Sequence, residues 1–342
     1  MNSATPVRVS SASRSSYVFA AIAVLLLALL VAAPWWAGRA DMRLLSEMLL
    51  YLSLACLWNL LAGYAGLVSV GQQAYVGLGG YLLFSLTMFA GVPPITALPL
   101  IGVIGMLVSV PVALLIFRLR GAYFAIGTWV IAEVFRLVAA QVSALGGGSG
   151  TSLPIGIVKS IAANKTARDS TIYWSALALT LLILVASIWL LRSRHGIALK
   201  AIRDNELAAA SLGIAIWRTK FFVYVLTGGL TTIVGALIFL QKLRITPDAA
   251  FNVNDWTAFV IFIVVIGGIG TLEGPIIGTL VYFLLRELLA DLGTTYLMIL
   301  GAVAIVIMLY APQGLWGFVR QRWGIELFPI TPRVLGHQPA KR

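Results

Sequence analysis

The sequence predicts an all-α integral membrane protein, a polytopic helical bundle of about eight to ten transmembrane helices, some short or broken. Three observations carry that prediction. Of 342 residues, 60% are hydrophobic before 33 glycines are counted, and only 11% are charged. An ordinary soluble domain carries about 25% charged residues, and the mean hydropathy here is +0.98. Apolar runs close to the roughly 20 residues that a hydrocarbon core requires recur along the chain. Finally, 24 Lys and Arg against 12 Asp and Glu give a net charge of +12, but the bases sit between the apolar runs. That placement fits loop charge that orients a chain in a bilayer, not a nucleic-acid surface. Disorder is excluded, because it needs low hydrophobicity and high charge.

The first run, 17–36, follows a Ser-rich tail at 1–16 that carries Arg8 and Arg14. Ala32 and Ala33 could end a cleaved leader, but Val31 fits the small-x-small pattern poorly and Pro34-Trp35-Trp36 reads as an interfacial anchor. A retained span is the expectation. Later runs follow at 43–62, 67–90, 95–117, 122–142, 172–191, 221–240, 256–269, 275–289 and 294–310. The runs on either side of Gly267–Pro275 are short, so they read as two thin helices or as one broken, re-entrant unit. The expected organisation is a tail at 1–16, a membrane domain at 17–315 interrupted by a polar loop at 192–220, and a tail at 316–342.

Charge supports that arrangement. With the first tail inside, the inner segments hold 15 basic residues, the outer segments 8, and Arg136 lies within a span. The inward excess is the positive-inside pattern. It puts both termini on the inner side.

The inner loop 192–220 is rich in Ala and Leu and free of Pro, which favours helix. Asp204 or Asn205 can cap a short helix, Glu206 suits its positive N-terminal end, and Gly213 suits its stop. The loop is expected to be a helical hairpin too polar to span. Ile202, Leu207, Ala209 and Ala210 would let it dock into a groove on another protein. The same pattern also suits an amphipathic helix resting on lipid headgroups.

The run Gly196-Ile197-Ala198-Leu199-Lys200-Ala201-Ile202-Arg203-Asp204-Asn205-Glu206-Leu207-Ala208-Ala209-Ala210, continued by Leu212-Gly213-Ile214, resembles the cytoplasmic signature of ABC-transporter permeases. Its form is closest to that of the branched-chain amino acid permeases, the LivM-like family. Gly63-Tyr64-Ala65-Gly66-Leu67-Val68-Ser69-Val70-Gly71-Gln72 with Gly77, Gly79 and Gly80 is similar to that family's early glycine-rich block. Leu119-Arg120-Gly121-Ala122-Tyr123-Phe124 with Glu133 and Arg136, and Gly267-Gly268-Ile269-Gly270-Thr271 with Gly274, Pro275 and Gly278, match later blocks. The chain departs from the family at Gln73-Ala74-Tyr75-Val76-Gly77 and at Leu207, where a smaller or branched residue is common.

The resemblance implies the permease subunit of an ATP-driven importer in the bacterial inner membrane. It implies branched-chain amino acids as solute, with relatives moving urea or other small molecules. Implied partners are a paralogous permease, two ABC ATPase subunits, an extracytoplasmic solute-binding protein and membrane lipid. The segment from Gly196 to Ile214 would be the coupling helix seated on an ATPase. No cofactor is expected on this chain, since ATP is used by partner subunits. Gly146-Gly147-Gly148-Ser149-Gly150-Thr151 is not a phosphate loop, because no Lys follows and no strand precedes it; a flexible outer loop is expected.

Within the spans, the glycines, including Gly71, Gly268 and Gly270, either permit close helix packing or lubricate sliding during transport. Gln72 and Gln73 should avoid lipid, and either bond across helices or line the solute path. Glu133 and Arg136 share a helix face, and serve either as a structural ion pair or as contacts for the charged ends of an amino acid. An ion-coupled secondary transporter is the alternative function, but it calls for intramembrane carboxylates and Glu133 is the clearly embedded acid. An enzyme would need convergent chemistry, whereas His195 and His337 lie far apart in polar segments and Cys56 stands alone in an apolar run.

Overall fold

The computed structural model of the chain describes residues 8–10, 24–162, 164–289, 295–311, 313–323 and 333–335. Residues 24–31 form helix α1 and Ala33–Trp36 form α2. The rest of the first run, 17–23, lies outside the described residues. Arg39–Asn59 (α3) begins on a cap in which the Gly38 N–H donates to the Asp41 carboxylate, and it ends in a π turn at Leu60–Tyr64.

The third apolar run is not one continuous helix. Gly66 turns the chain at φ +68°, residues up to Gly71 run outside any helix, and α4 (Gln72–Met88) starts only at Gln72. Backbone that leaves a helix at membrane depth must find partners within the protein. Here Trp58 Nε1 donates to the Ser69 carbonyl at 2.8 Å, and the Val70 N–H donates to Thr128 Oγ1 at 3.0 Å.

The chain continues as α5 (Pro94–Ile116), α6 (Ala122–Gln141), α7 (Ile155–Ile161), α8 (Lys165–Arg192), α9 (Arg194–Asp204), α10 (Glu206–Ser211) and α11 (Ile216–Lys242). Then come α12 (Pro247–Ala250), a π turn at Asn254–Ala258, α13 (Phe259–Gly267), α14 (Gly274–Leu288), α15 (Thr295–Tyr310) and α16 (Gly314–Trp323), followed by a strand at Arg333–Leu335 paired with Arg8–Ser10. Among the described residues, 7 helical stretches are long and apolar enough to cross a membrane. Helices α4 and α14 run 17 and 15 residues, and α13 only 9. The chain is thus an all-α polytopic membrane protein. The glycine-split pair resolves into two antiparallel helices, α13 and α14, joined by a turn at 268–273.

Helix α11 lies at the centre. A side chain at Gly79 of α4 would strike the Thr232 carbonyl of α11, and one at Gly235 of α11 would strike that of Val76 in α4. Gly105 of α5 makes room for the Thr232 side chain. In lipid, where no hydrophobic drive joins helices, such backbone approach is the main source of packing energy. Helix α8 closes against α3 through a Ser53–Thr180 hydroxyl contact of 2.9 Å.

Polar groups gather at two poles. One holds the α9–α10 hairpin. The other holds Arg39 against Asp169, Glu47 against Arg286, and the short strand pair Thr151–Ser152 with Arg244–Ile245. The glycine stretch near 146–150 is therefore ordered, and its Gly150 packs directly on Ile245 and Thr246. At the other end of the chain, ordered structure runs past residue 315. Helix α16 tucks Gly314 against Gly268 and buries Trp316.

Candidate functional site

The polar loop between α8 and α11 folds as the expected hairpin. Ser193 caps α9, accepting from the His195 N–H. Asn205 leaves the helical region at φ −158°, ψ 107°, and its Oδ1 accepts from the Ala208 N–H at 3.0 Å. So Asn205, not Asp204, is the cap. Glu206 follows in the first turn of α10 and pairs with Lys220 of α11 at 3.0 Å. Gly213 ends α10 at φ +80°, while its N–H reaches the Ala210 carbonyl and that of Ile214 reaches Ala209. Those are the paired bonds of a Schellman stop, for which Gly is the favoured residue.

The hairpin has an inner and an outer face. Gly196, Leu199, Ile202 and Ala209 are buried in the chain's own bundle, and a side chain at Gly196 would collide with the Leu191 backbone. Ala201 and Ile214 are half-buried, and Asp204 and Ala208 are exposed. The apolar side chains turned outward are Ile197, Leu207 and Leu212, at 69%, 85% and 78% exposure. The docking face expected from Ile202, Leu207, Ala209 and Ala210 is therefore corrected. Ile202 and Ala209 anchor the hairpin, and Leu207 and Leu212 are what it offers.

Arg203 ties the hairpin to the membrane helices. Its Nη1 donates to the Gly63 carbonyl at 3.0 Å, and its Nη2 pairs with Asp204 at 2.8 Å. Gly63 closes the π turn of α3 and packs on the backbone of Gly270. Asn59, one turn earlier, grips the same turn in both directions, with Nδ2 donating to the Thr271 carbonyl at 2.7 Å and Oδ1 accepting from the Gly270 N–H at 2.8 Å. Gly268 (φ +128°) and Gly270 (φ +75°) hold backbone that an L side chain rarely adopts. The hairpin thus meets α3, the α13–α14 turn and, through Gly268, α16. Beside it, burial lowers the ammonium pKa of Lys200, helped by Arg203 and Arg320 and opposed by Asp204.

The other expected residues lie elsewhere in the bundle. Gly71 lets the segment before α4 rest on the Thr128 backbone of α6. Gln72 is buried and donates Nε2 to the Leu54 carbonyl at 3.0 Å. It also lines a small cavity of about 20 Å³ with Trp58, Tyr75, Tyr224 and Thr227, where the Tyr75 and Tyr224 hydroxyls meet at 3.1 Å. Gln73 bonds Thr257 in the π turn before α13. Both amides therefore bond across helices. Glu133 and Arg136 form the expected ion pair, 2.6 Å apart, and Arg136 also reaches Asp248 at 2.8 Å. Sequence reasoning passed over Asp248 and Asn59. Asn59 carried a signal, as an amide inside an apolar run; Asp248 comes from a distant loop and carried none. Among the described residues, no group of His, Cys, Asp and Glu is placed to hold a metal.

The family described as "Branched-chain amino acid transport system / permease component" matches residues 42–311. The chain is 27% identical over 319 residues to the high-affinity branched-chain amino acid transport system permease protein LivM of Escherichia coli (strain K12), covering 87% of this chain and 75% of that one. It is 26% identical over 317 residues to the protein of the same name from Salmonella typhimurium, covering 86% and 74%. It is 23% identical over 262 residues to the "Probable branched-chain amino acid transport permease protein LivH" of Methanocaldococcus jannaschii, covering 72% and 82%. No solved structure matches the chain.

Proposed function

This chain belongs to the family of branched-chain amino acid transport permeases, a permease subunit of an ABC importer, and on that premise we propose how it works. It forms the translocation pathway with a paralogous permease and carries branched-chain amino acids across the bacterial inner membrane. An extracytoplasmic solute-binding protein delivers the solute. Two ATPase subunits, which alone use ATP, sit on the cytoplasmic side, where both termini also lie.

The observation that carries this reading is the split hairpin. Leu199, Ile202 and Ala209 are rooted in the membrane domain, while Leu207 and Leu212 stand out from it. Exposed apolar side chains on a short, well-capped helix suit a groove on a partner. A push on the hairpin passes through Arg203 of its first helix to Gly63, which packs on Gly270, so closure of the ATPases on ATP tilts α3 against α13 and α14. The inward excess of basic residues supports the same orientation.

The test is the double variant Leu207→Asp, Leu212→Asp in the full complex. Both side chains are exposed, so the chain should insert and keep its second permease. The ATPase subunits should be lost on purification, and ATP-driven uptake with them. Wild-type retention and uptake would overturn the reading. Uptake that persists after ATP depletion with ion gradients intact would favour an ion-coupled carrier instead.

A further inference from the structure

Several helices of the bundle present apolar side chains outward, and their charge sets one apart. On α5, Val103, Leu107 and Leu115 are 53%, 65% and 63% exposed. On α15, Met298, Ile305 and Leu309 are 76%, 59% and 74% exposed. Neither helix carries a charged residue, so lipid can cover both. Helix α6 is just as uncovered, with Tyr123, Ile126 and Val130 at 74%, 54% and 53%. Yet the same helix carries Glu133, whose side chain is 48% exposed, and Arg136 at 30%.

Glu133 sits about 12 Å along the helix from Gln141 at 1.5 Å per residue, inside a helix long and apolar enough to cross a membrane. Arg136 serves both Glu133 and the 84%-exposed Asp248, so one guanidinium faces two carboxylates and a negative charge is left over. A group of that kind is not stable against hydrocarbon. It belongs against protein or in a polar path. The Glu47–Arg286 pair differs, because it is neutral, joined at 2.9 Å, and Arg286 is near the end of α14.

Resting on the pairing with a second permease proposed above, we propose that the exposed face of α6 is the seam against that paralogous subunit. Glu133, Arg136 and Asp248 form a polar lock within it, and the partner supplies a cation or hydrogen-bond donor opposite the two carboxylates. A second copy of this chain fits poorly, because a two-fold contact would set the same surplus negative charge against itself.

The test places a photo-crosslinking amino acid at Val130 or Val134 on α6, at Leu107 on α5, or at Ile305 on α15, in the complete transporter. None of these side chains touches the charged cluster's hydrogen bonds. Adducts containing the second permease, identified by mass spectrometry, are expected from Val130 and Val134 and not from Leu107 or Ile305. Lipid-only adducts from both α6 positions would overturn the seam, as would second-permease adducts from α5 or α15 alone. Adducts with another copy of this chain would overturn the choice of partner. If the unmodified chain does not co-purify with a second permease, the parent reading fails and the seam with it. An intact assembly without α6 adducts defeats the seam alone.

Discussion

The guanidinium of Arg203 lies 3.0 Å from the carbonyl oxygen of Gly63, joining a surface hairpin to the foot of a membrane helix. Gly63 in turn has no side chain, because the Gly270 backbone occupies that space. Force applied to α9 can therefore reach α3 and, through Gly63, the α13–α14 turn.

Arg203→Ala is predicted to separate binding from transport. The lost bond is charge-assisted, but the side chain is 38% exposed, so the stability cost should stay below about 1 kcal/mol. The hairpin keeps its buried anchors, and the ATPase subunits should still co-purify. Solute uptake per ATP hydrolysed, measured in proteoliposomes, should fall clearly below wild type. An unchanged ratio would make the contact a passive one.

Asn59→Leu should cost stability directly. It leaves the Gly270 N–H and the Thr271 carbonyl without their partner, and an unsatisfied buried backbone group costs about 1–3 kcal/mol. Thermal unfolding in detergent should shift to lower temperature. Asn59→Asp would keep the acceptor for Gly270 but lose the donor to Thr271, so it should not restore the midpoint. A midpoint equal to wild type for the Leu variant would mean that the turn finds other partners.

Gly213→Ala tests the hairpin's stop by itself. Nothing lies within 4 Å of where the added Cβ would sit, so any penalty is conformational. The left-handed region costs a non-glycine residue roughly 1–2 kcal/mol. Fewer ATPase subunits retained per permease is the expected readout, with Gly213→Asn, which tolerates that region better, lying between Ala and wild type.

Much of this was legible in the sequence where local chemistry decided the outcome. Asn205, Glu206 and Gly213 wrote the hairpin's second helix in capping residues, and the spacing of Glu133 and Arg136 wrote their ion pair. Apolar length located the helices, because bilayer thickness is a fixed ruler. Failures came where distant backbone sets the environment. Helix α4 starts five residues after the apolar run begins at 67, because the bonds that replace helix there come from Trp58 and Thr128, on other helices. The faces of Ile202 and Leu207 could not be sorted, since both are apolar and only packing against α9's neighbours buries one of them. Asp248 joined the α6 pair across 112 residues of chain, a separation that no local pattern records.

The last prediction concerns the α13–α14 pair, whose contact has no room for side chains. A Cβ at Gly267 would collide with the Gly274 carbonyl, and one at Gly278 with that of Ile263. These are backbone atoms within helices, so they cannot swing aside as a side-chain tip would. Gly278→Leu must push the helices apart, and overpacking of this kind costs about 1–3 kcal/mol. The turn at 268–273 sits at the end of that contact, so its hold on Asn59 should loosen as well. A lowered unfolding midpoint together with reduced uptake is expected for Gly278→Leu. Gly148→Ala is the control, because nothing lies within 4 Å of its added methyl, and it should match wild type in both measurements. If Gly278→Leu also matches wild type, the close approach of α13 and α14 is not what holds this end of the bundle together.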